Sequence, residues 1–135
     1  MFSKQQMEGI LISIPTAEII VAKEKNIQIG YRVRLRVCIR GKEQFLLAIQ
    51  RTLLQYEIDT TYKKKEHKGR PRPILIVSGK SNLSKLMDII PILPSNAEWE
   101  NFEDALDICN SGQHLSQNGF DKILKMKGYN GEDKT

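Results

Sequence analysis

The stretch IQIGYRVRLRVCIRG, residues 27–41, carries the clearest pattern in the sequence. Every second residue of its central part is apolar (Val33, Leu35, Val37 and Ile39), and the residues between them are Arg32, Arg34, Arg36, Cys38 and Arg40. Successive side chains of a strand point to opposite faces of a sheet, so this alternation is typical of a strand with one buried face. It predicts a half-buried β-strand from Ile27 to Arg40 that ends at Gly41.

The four arginines of this strand indicate a polyanionic partner. Four like charges on one face repel one another unless something negative lies over them. The alternative is the solvated outer face of an antiparallel sheet, where single charges are common, but such faces usually mix Thr, Glu, Lys and Gln. A sheet or strand pair can enter the major groove of DNA, and arginine forks match both phosphates and the acceptor edge of guanine. We therefore expect Arg32, Arg34, Arg36 and Arg40 to contact nucleic acid.

Further cations lie at the turns that flank the predicted strands. Lys23 and Lys25 fall at the first hairpin turn, and Lys63, Lys64, Lys65, Lys68, Arg70 and Arg72 fall at or beside the second. A single run of three lysines is usually a solvated turn, but basic hairpins at both ends of a basic sheet would extend contact along a duplex. RNA is the alternative polymer. Since Tyr31 and Tyr62 are the only candidates for stacking on splayed bases, duplex DNA is favoured.

Start and stop signals place the other elements. Ser3 with Gln6 forms a capping-box pattern, so a helix is predicted from Lys4 to about Ile14, before Pro15. Strands are predicted at 16–22, 58–63 and 72–78, with a helix at 42–55 whose apolar face carries Phe45, Leu46, Ile49, Leu53 and Leu54. Ser81, Ser95 with Glu98, and Ser116 are predicted to begin three further helices, and Gly112 and Gly128 to follow the last two.

Size and composition indicate an ordinary globular protein. The chain has 135 residues, 40% hydrophobic and 27% charged, and a formal net charge of +5. This predicts a single domain over residues 1–128 and a flexible tail at 129–135.

Cys38 and Cys109 are expected to be buried thiols without metal-ligand spacing. Without a signal peptide or a run of about 18 apolar residues, we expect a soluble intracellular protein with no membrane partner. Cytoplasm, nucleoid and organelle remain open.

The order of elements resembles that of the LAGLIDADG homing endonucleases in their single-motif form. The segment MEGILISIP, residues 7–15, lies where the family motif helix would be, and residues 31–54 are similar to the family's second strand and second helix. Trp99, Phe102 and Leu106, followed by His114-Leu115-Ser116 before Gly119, also resemble family members. The resemblance implies an α+β fold of the αββαββα type, with helices on one face of a four-stranded antiparallel, saddle-shaped sheet.

The resemblance also implies a homodimer that reads a near-palindromic site, with the two motif helices packed at the two-fold axis. The sequence offers a physical reason for such a contact, because Gly9 and Ser13 are four residues apart and let a second helix approach closely. Together with Ile12 they form the predicted dimer interface. The alternative is an ordinary amphipathic helix that packs only over its own sheet.

The sequence departs from the family at the catalytic position. Family members end the motif helix with an Asp or Glu that holds a divalent cation beside the scissile phosphates. Here that position is Ile14, between Ser13 and Pro15, and isoleucine cannot bind a metal. Glu18 can reach a metal only if the helix end is rebuilt, and Lys80 serves equally as a catalytic cation, a phosphate contact or a solvated turn. His67 and His114 are isolated and receive no role. No cofactor is expected, with Mg²⁺ required only if cleavage is retained.

Three functions follow from these observations. The first is a sequence-specific double-stranded DNA-binding protein that has lost cleavage and acts as a repressor or regulator. The second is an active metal-dependent site-specific DNA endonuclease whose acid comes from Glu18 or from a shifted motif, so enzymatic activity stays open at this point. The third is an interaction protein whose basic sheet meets an acidic protein partner.

Overall fold

The computed structural model describes residues 2–90 and 97–126. In those ranges the chain forms five α-helices, one 3₁₀ turn and a four-stranded antiparallel sheet with strand order β1-β2-β4-β3, which confirms the predicted α+β class. The elements are α1 (Lys4–Ser13), β1 (Thr16–Lys23), β2 (Tyr31–Arg40), α2 (Glu43–Leu54), β3 (Thr61–Lys63), β4 (Ile74–Ser78), α3 (Lys80–Ile89), α4 (Ala97–Asn110), the 3₁₀ turn (Gln113–Leu115) and α5 (Gln117–Met126).

The chain divides into two compact units. The first unit contains residues 1–18 and 36–95, and the second contains residues 19–35 and 96–135. The strands β1 and β2 each contribute residues to both units. The single domain proposed for residues 1–128 stays a prediction. The tail at 129–135, Gly128 and the Ser95 cap lie outside the described residues.

Helix α1 begins where its capping box predicts. The Ser3 hydroxyl accepts a hydrogen bond from the Gln6 backbone N–H at 3.2 Å, and the Gln6 side chain accepts one from the Ser3 N–H at 2.9 Å. The last helical residue is Ser13, and the C-cap Ile14 keeps helical geometry and donates its N–H to the Ile10 carbonyl at 3.0 Å. Pro15 has no N–H with which to continue the helix. Met7 and Leu11, one turn apart, are fully buried and fix which side of α1 faces the core of the first unit.

Strand β2 begins at Tyr31, four residues later than predicted. The Glu24 N–H donates to the Gly30 carbonyl at 2.9 Å, and the Gly30 N–H donates to the Ile27 carbonyl at 2.8 Å. These bonds close a loop in which Gly30 adopts a φ of +83°, a conformation that glycine tolerates without a steric penalty. The apolar residues Ile27 and Ile29 continue the strand pattern in the sequence, but the N–H and carbonyl groups of Ile27 form hydrogen bonds within the loop.

The first unit is built around an apolar core from α1, β2, α2, β4 and α3. Its buried residues include Val37, Ile39, Leu46, Ile49, Leu53, Ile58, Ile74, Leu75, Val77, Leu83 and Leu86. Leu54 is 53% exposed, so its predicted place on the buried face of α2 was wrong. Helix α3 begins at Lys80 with Gly79 as its N-cap, at a φ of +91°, so the predicted cap at Ser81 was also wrong.

The second unit buries Trp99, Phe102, Ala105, Leu106, Phe120 and Ile123. Gly112 lies in the left-handed region at φ +79° and ends α4 after Asn110, as predicted. Ser116 caps α5, because its hydroxyl accepts a hydrogen bond from the Gly119 N–H at 3.1 Å. A side chain at Gly119 would overlap the Gln113 carbonyl, so glycine allows α5 to pack closely on the 3₁₀ turn.

Candidate nucleic-acid interface

The arginines of β2 that belong to the first unit are paired with carboxylates. The Arg36 Nε donates to Glu18 at 2.7 Å, and the Arg40 Nη2 lies 3.4 Å from the other oxygen of the same carboxylate. Arg40 also forms a two-bond fork with Glu66, each bond 2.9 Å long. Burial is partial, with the arginine side chains about one-third exposed. The expectation that this face carries charge of a single sign was wrong, because acids from β1 and from the β3–β4 loop lie over it.

In the second unit, Arg32 and Arg34 differ in their surroundings. The Arg32 guanidinium lies 3.3 Å from the Glu24 carboxylate, which the β1–β2 loop supplies. Arg34 is exposed and, within residues 2–90 and 97–126, has no ion pair or side-chain hydrogen bond. Of the four arginines of β2, Arg34 is therefore the one that can turn to a ligand without breaking a contact.

The cations predicted at the hairpins are exposed. Lys23 and Lys25 lie at the end of β1 and in the loop that follows it, and Lys63, Lys64, Lys65, Lys68, Arg70 and Arg72 lie at the end of β3 and in the loop before β4. None of these eight side chains forms an ion pair with the part of the chain that the structure describes. With Arg34 they make nine exposed, unpaired cations among the twelve predicted, which we call the free cations.

Cys38 lies between Arg36 and Arg40 in the sequence but is buried. Burial raises the pKa of the Cys38 thiol to about 11, and the nearby Glu18 carboxylate acts in the same direction. Burial alone raises the pKa of the Cys109 thiol to about 11. Both thiols therefore stay protonated near neutral pH, and only the thiolate is a strong nucleophile or metal ligand.

The two tyrosines considered for base stacking are used inside the fold. Tyr31 stacks on Phe120 in the second unit, with ring centroids 5.1 Å apart and planes 19° from parallel. The hydroxyl of Tyr62 is buried in the first unit. These positions do not offer the exposed aromatic pair that stacks on splayed single-stranded bases, which agrees with the preference for duplex DNA.

The end of α1 does not supply a magnesium site. Ile14 is 43% exposed at the C-cap, and the Ser13 hydroxyl donates to the Gly9 carbonyl at 2.7 Å. Glu18, the predicted substitute acid, is held by Arg36 and Arg40. Mg²⁺ is bound in proteins through carboxylates, so these residues do not fit the ion. Among the described residues, no three of His, Cys, Asp and Glu come together as a possible metal site.

The remaining candidates receive no catalytic role from the geometry. Lys80 is the first residue of α3 and is exposed. The His67 Nδ1 accepts a hydrogen bond from the Gly69 N–H at 3.0 Å and so stabilises the loop between β3 and β4. His114 lies in the 3₁₀ turn of the second unit.

The outer side of α1 presents small and apolar residues. Gly9 is exposed, and a Cβ built on it would meet no atom within 4 Å. Ser13 and Ile12, the latter 38% exposed, share this side of the helix with Gly9. A shallow groove beside them is also lined by Phe2, Gln5, Gln6, Ile10, Ile14 and Phe45.

Comparison with solved structures identifies the fold. The crystal structure of the homing endonuclease I-TnaI superposes with a TM-score of 0.79 at 18% identity, over 98% of this chain and 90% of that one. The LAGLIDADG meganuclease I-CpaMI bound to uncleaved DNA superposes with a TM-score of 0.78 at 18% identity, over the whole of this chain. The chain has the LAGLIDADG homing endonuclease fold. I-SmaMI, bound to an uncleaved DNA target in the presence of calcium ions, superposes with a TM-score of 0.77 at 16% identity, over 98% of this chain.

This chain covers very different shares of the solved structures with which it shares the LAGLIDADG homing endonuclease fold. This chain spans 48% of the I-CpaMI chain and 45% of the I-SmaMI chain, but 90% of the I-TnaI chain. The sequence itself matches no family model and none of the curated proteins. Within the described residues, no helix is long and apolar enough to cross a membrane.

Sequence reasoning missed the acids that pair with three of the predicted cations, Arg32, Arg36 and Arg40. Glu18 was considered only as a metal ligand, and Glu24 and Glu66 were not considered at all. A signal was present for Glu66, because it is the only acid among the ten residues from Lys63 to Arg72, six of which are Lys or Arg. An isolated acid inside a basic loop is a candidate for a specific ion pair.

Proposed function

We propose that this protein is a sequence-specific double-stranded DNA-binding protein that acts as a homodimer, has lost metal-dependent cleavage and serves as a regulator. The observation that carries the proposal is the set of nine free cations on a fold shared with endonucleases that were solved bound to DNA. Arg34 would read base edges, and the lysines and arginines of the two hairpins would contact phosphates.

The proposed dimer rests on α1. Its outer side carries Gly9 and Ser13 with open space above the glycine, so a second α1 can approach closely and bury Ile12. A dimer would bring the length of the assembly to about that of I-CpaMI and I-SmaMI, of which one chain spans 48% and 45%. Two identical readers related by a two-fold axis favour a near-palindromic site.

The proposed loss of cleavage rests on Ile14 and Glu18. The first cannot bind a cation, and the second would have to leave both Arg36 and Arg40 to do so. An active endonuclease remains the second candidate, since the similar structures include homing endonucleases and meganucleases. The two are separated by incubating a bound duplex with Mg²⁺ and with Mn²⁺. Intact DNA is expected with both metals, and metal-dependent nicking by the purified protein contradicts the loss of cleavage.

DNA binding itself is tested by selecting sequences from a randomised duplex library and titrating the selected duplex at several salt concentrations. The logarithm of the binding constant should fall with the logarithm of salt concentration at a slope of about −0.9 per neutralised phosphate. If all eight hairpin cations of one protomer contact phosphates, the slope per protomer reaches about −7. A binding constant that does not change with salt, or an acidic protein that competes fully with DNA, supports an interaction protein instead.

A further inference from the structure

The carboxylate of Glu66 connects the loop between β3 and β4, residues 64–73, to Arg40 of the sheet. Both oxygens of the Glu66 carboxylate accept hydrogen bonds from Arg40, one from Nε and one from Nη2, each at 2.9 Å. A two-bond fork of this kind fixes orientation as well as distance. The Glu66 side chain is only 11% exposed, the least of the charged groups in this network. Its hydrogen bonds with Arg40 lower the pKa of Glu66 to about 2.

The loop has a defined backbone of its own. The Glu66 N–H donates to the Arg72 carbonyl at 2.9 Å, and the N–H and carbonyl groups of His67 and Arg70 bond to each other at 2.9 and 3.2 Å. These bonds form a short two-stranded extension with Lys68 and Gly69 at its tip. Glu66 lies at the base of the extension, so the fork to Arg40 holds the whole loop.

Arg40 connects this loop to the neighbouring strand as well. It lies opposite Ile74 in the β2–β4 register, and its Nη2 is shared between Glu66 and Glu18. Two of the three guanidinium nitrogens of Arg40 are thus committed to carboxylates inside the protein. Arg70 and Arg72 line the same groove as Arg40, together with the acids Glu43 and Glu66, so Glu66 lies among cations that repel one another.

We propose that Glu66 and Arg40 are positioning residues that hold the basic loop in the geometry needed for DNA binding. This inference rests on the proposed function and revises the expected part of Arg40, which acts through the loop rather than on the groove. It predicts a change in DNA affinity opposite to the change that net charge alone would predict. Removal of the Glu66 charge makes the protein more basic, yet it weakens DNA binding because the loop cations lose their fixed positions.

The test compares Glu66→Gln with wild type on the selected duplex at one salt concentration. We expect affinity to fall by about threefold to tenfold, as for the loss of one partly buried charged pair, and the salt slope to become shallower by about one. Asp88→Asn is the matched control, because it removes one exposed acid from α3 of the same unit. The control should leave affinity unchanged or slightly raised. Tighter or equal binding by Glu66→Gln contradicts the inference.

A second variant separates positioning from folding and from direct contact. Arg40→Lys keeps the charge but cannot form the fork, and it should weaken binding as Glu66→Gln does. In a loop that already carries Lys64→Ala, Lys65→Ala and Lys68→Ala, Glu66→Gln should have little further effect if it acts through those lysines. If Glu66→Gln lowers DNA affinity by the same factor in the wild-type loop and in the loop that lacks the three lysines, the inference is wrong.

A measurement without DNA completes the test. Amide hydrogen exchange at residues 64–72 should accelerate in Glu66→Gln and stay unchanged in Asp88→Asn, while the core strand β4 remains protected in both. Unchanged exchange in the loop of Glu66→Gln contradicts the anchoring role whatever the DNA result. If the wild type binds no duplex at any salt concentration, the proposed function fails and the DNA part of this inference fails with it. If the wild type binds and Glu66→Gln binds equally well, this inference alone is wrong.

Discussion

Replacement of Arg34 by alanine should separate DNA recognition from folding. Arg34 is exposed and, in the part of the chain that the structure describes, has no ion pair to lose. The free energy of unfolding should therefore change by no more than about 0.5 kcal/mol, as for other surface substitutions. If its guanidinium reads a base edge, binding should weaken by about 1–3 kcal/mol, which is about 5-fold to 150-fold.

Arg36→Ala is the matched comparison on the same strand. The Arg36 guanidinium is held by Glu18 at 2.7 Å, so any contact with DNA must first break or share that bond. Its loss leaves Glu18 with the longer 3.4 Å contact to Arg40 and should lower the free energy of unfolding by about 0.5–1 kcal/mol. We expect Arg36→Ala to reduce stability more than Arg34→Ala does and to reduce DNA affinity less.

The assay is a fluorescence-anisotropy titration of both variants on the selected duplex and on its single-base variants, with thermal melting of the free proteins beside it. Loss of preference at one base pair in Arg34→Ala supports base reading. A loss of equal size on every sequence indicates a phosphate contact instead. If Arg34→Ala binds the selected duplex as tightly as wild type, the assignment of Arg34 to recognition is wrong.

Three further predictions concern dimerisation, packing and pH. Gly9→Leu should shift the protein toward monomer in sedimentation while the protomer stays folded, because space above Gly9 is open in the protomer; an unchanged dimer contradicts the α1 interface. Gly119→Ala should lower the free energy of unfolding by about 1–3 kcal/mol, because its methyl group overlaps the Gln113 carbonyl; an unchanged melting temperature contradicts that packing. The pKa of Glu66 is lowered from 4.5 to about 2, so its stabilising effect is complete above its ordinary pKa and is lost as pH falls toward 2. The difference in melting temperature between wild type and Glu66→Gln should stay constant above about pH 5 and shrink below it; a difference that changes between pH 6 and 8 contradicts this assignment.

Local signals predicted the elements that depend on local interactions. The capping box at Ser3 needs only residues three positions apart, and the left-handed glycine at Gly112 needs only its own backbone freedom. Both were predicted correctly. The start of β2 was predicted too early because Gly30 and its hydrogen-bonded loop interrupt an apolar alternation that continues through Ile27 and Ile29.

The charge pairing could not be predicted in the same way. Glu18 is 18 residues from Arg36, and Glu66 is 26 residues from Arg40. Which strands are neighbours decides these contacts, and the order β1-β2-β4-β3 is a property of the whole sheet. A pattern within one strand therefore identifies which arginines share a face but not which of them are already paired.

The pairing of Glu18 with Arg36 and Arg40 bears on two of our proposals, the loss of cleavage and the anchoring of the basic loop. The Glu18 carboxylate is shared by Arg36 and Arg40, and both of its oxygens are used. A cation bound there would be a third positive group around one acid unless Arg40, which also holds Glu66, were released. A carboxylate introduced at position 14 would avoid this conflict, since Ile14 is exposed. The same ion pairs that oppose metal binding by Glu18 thus keep Arg40 in place for the basic loop.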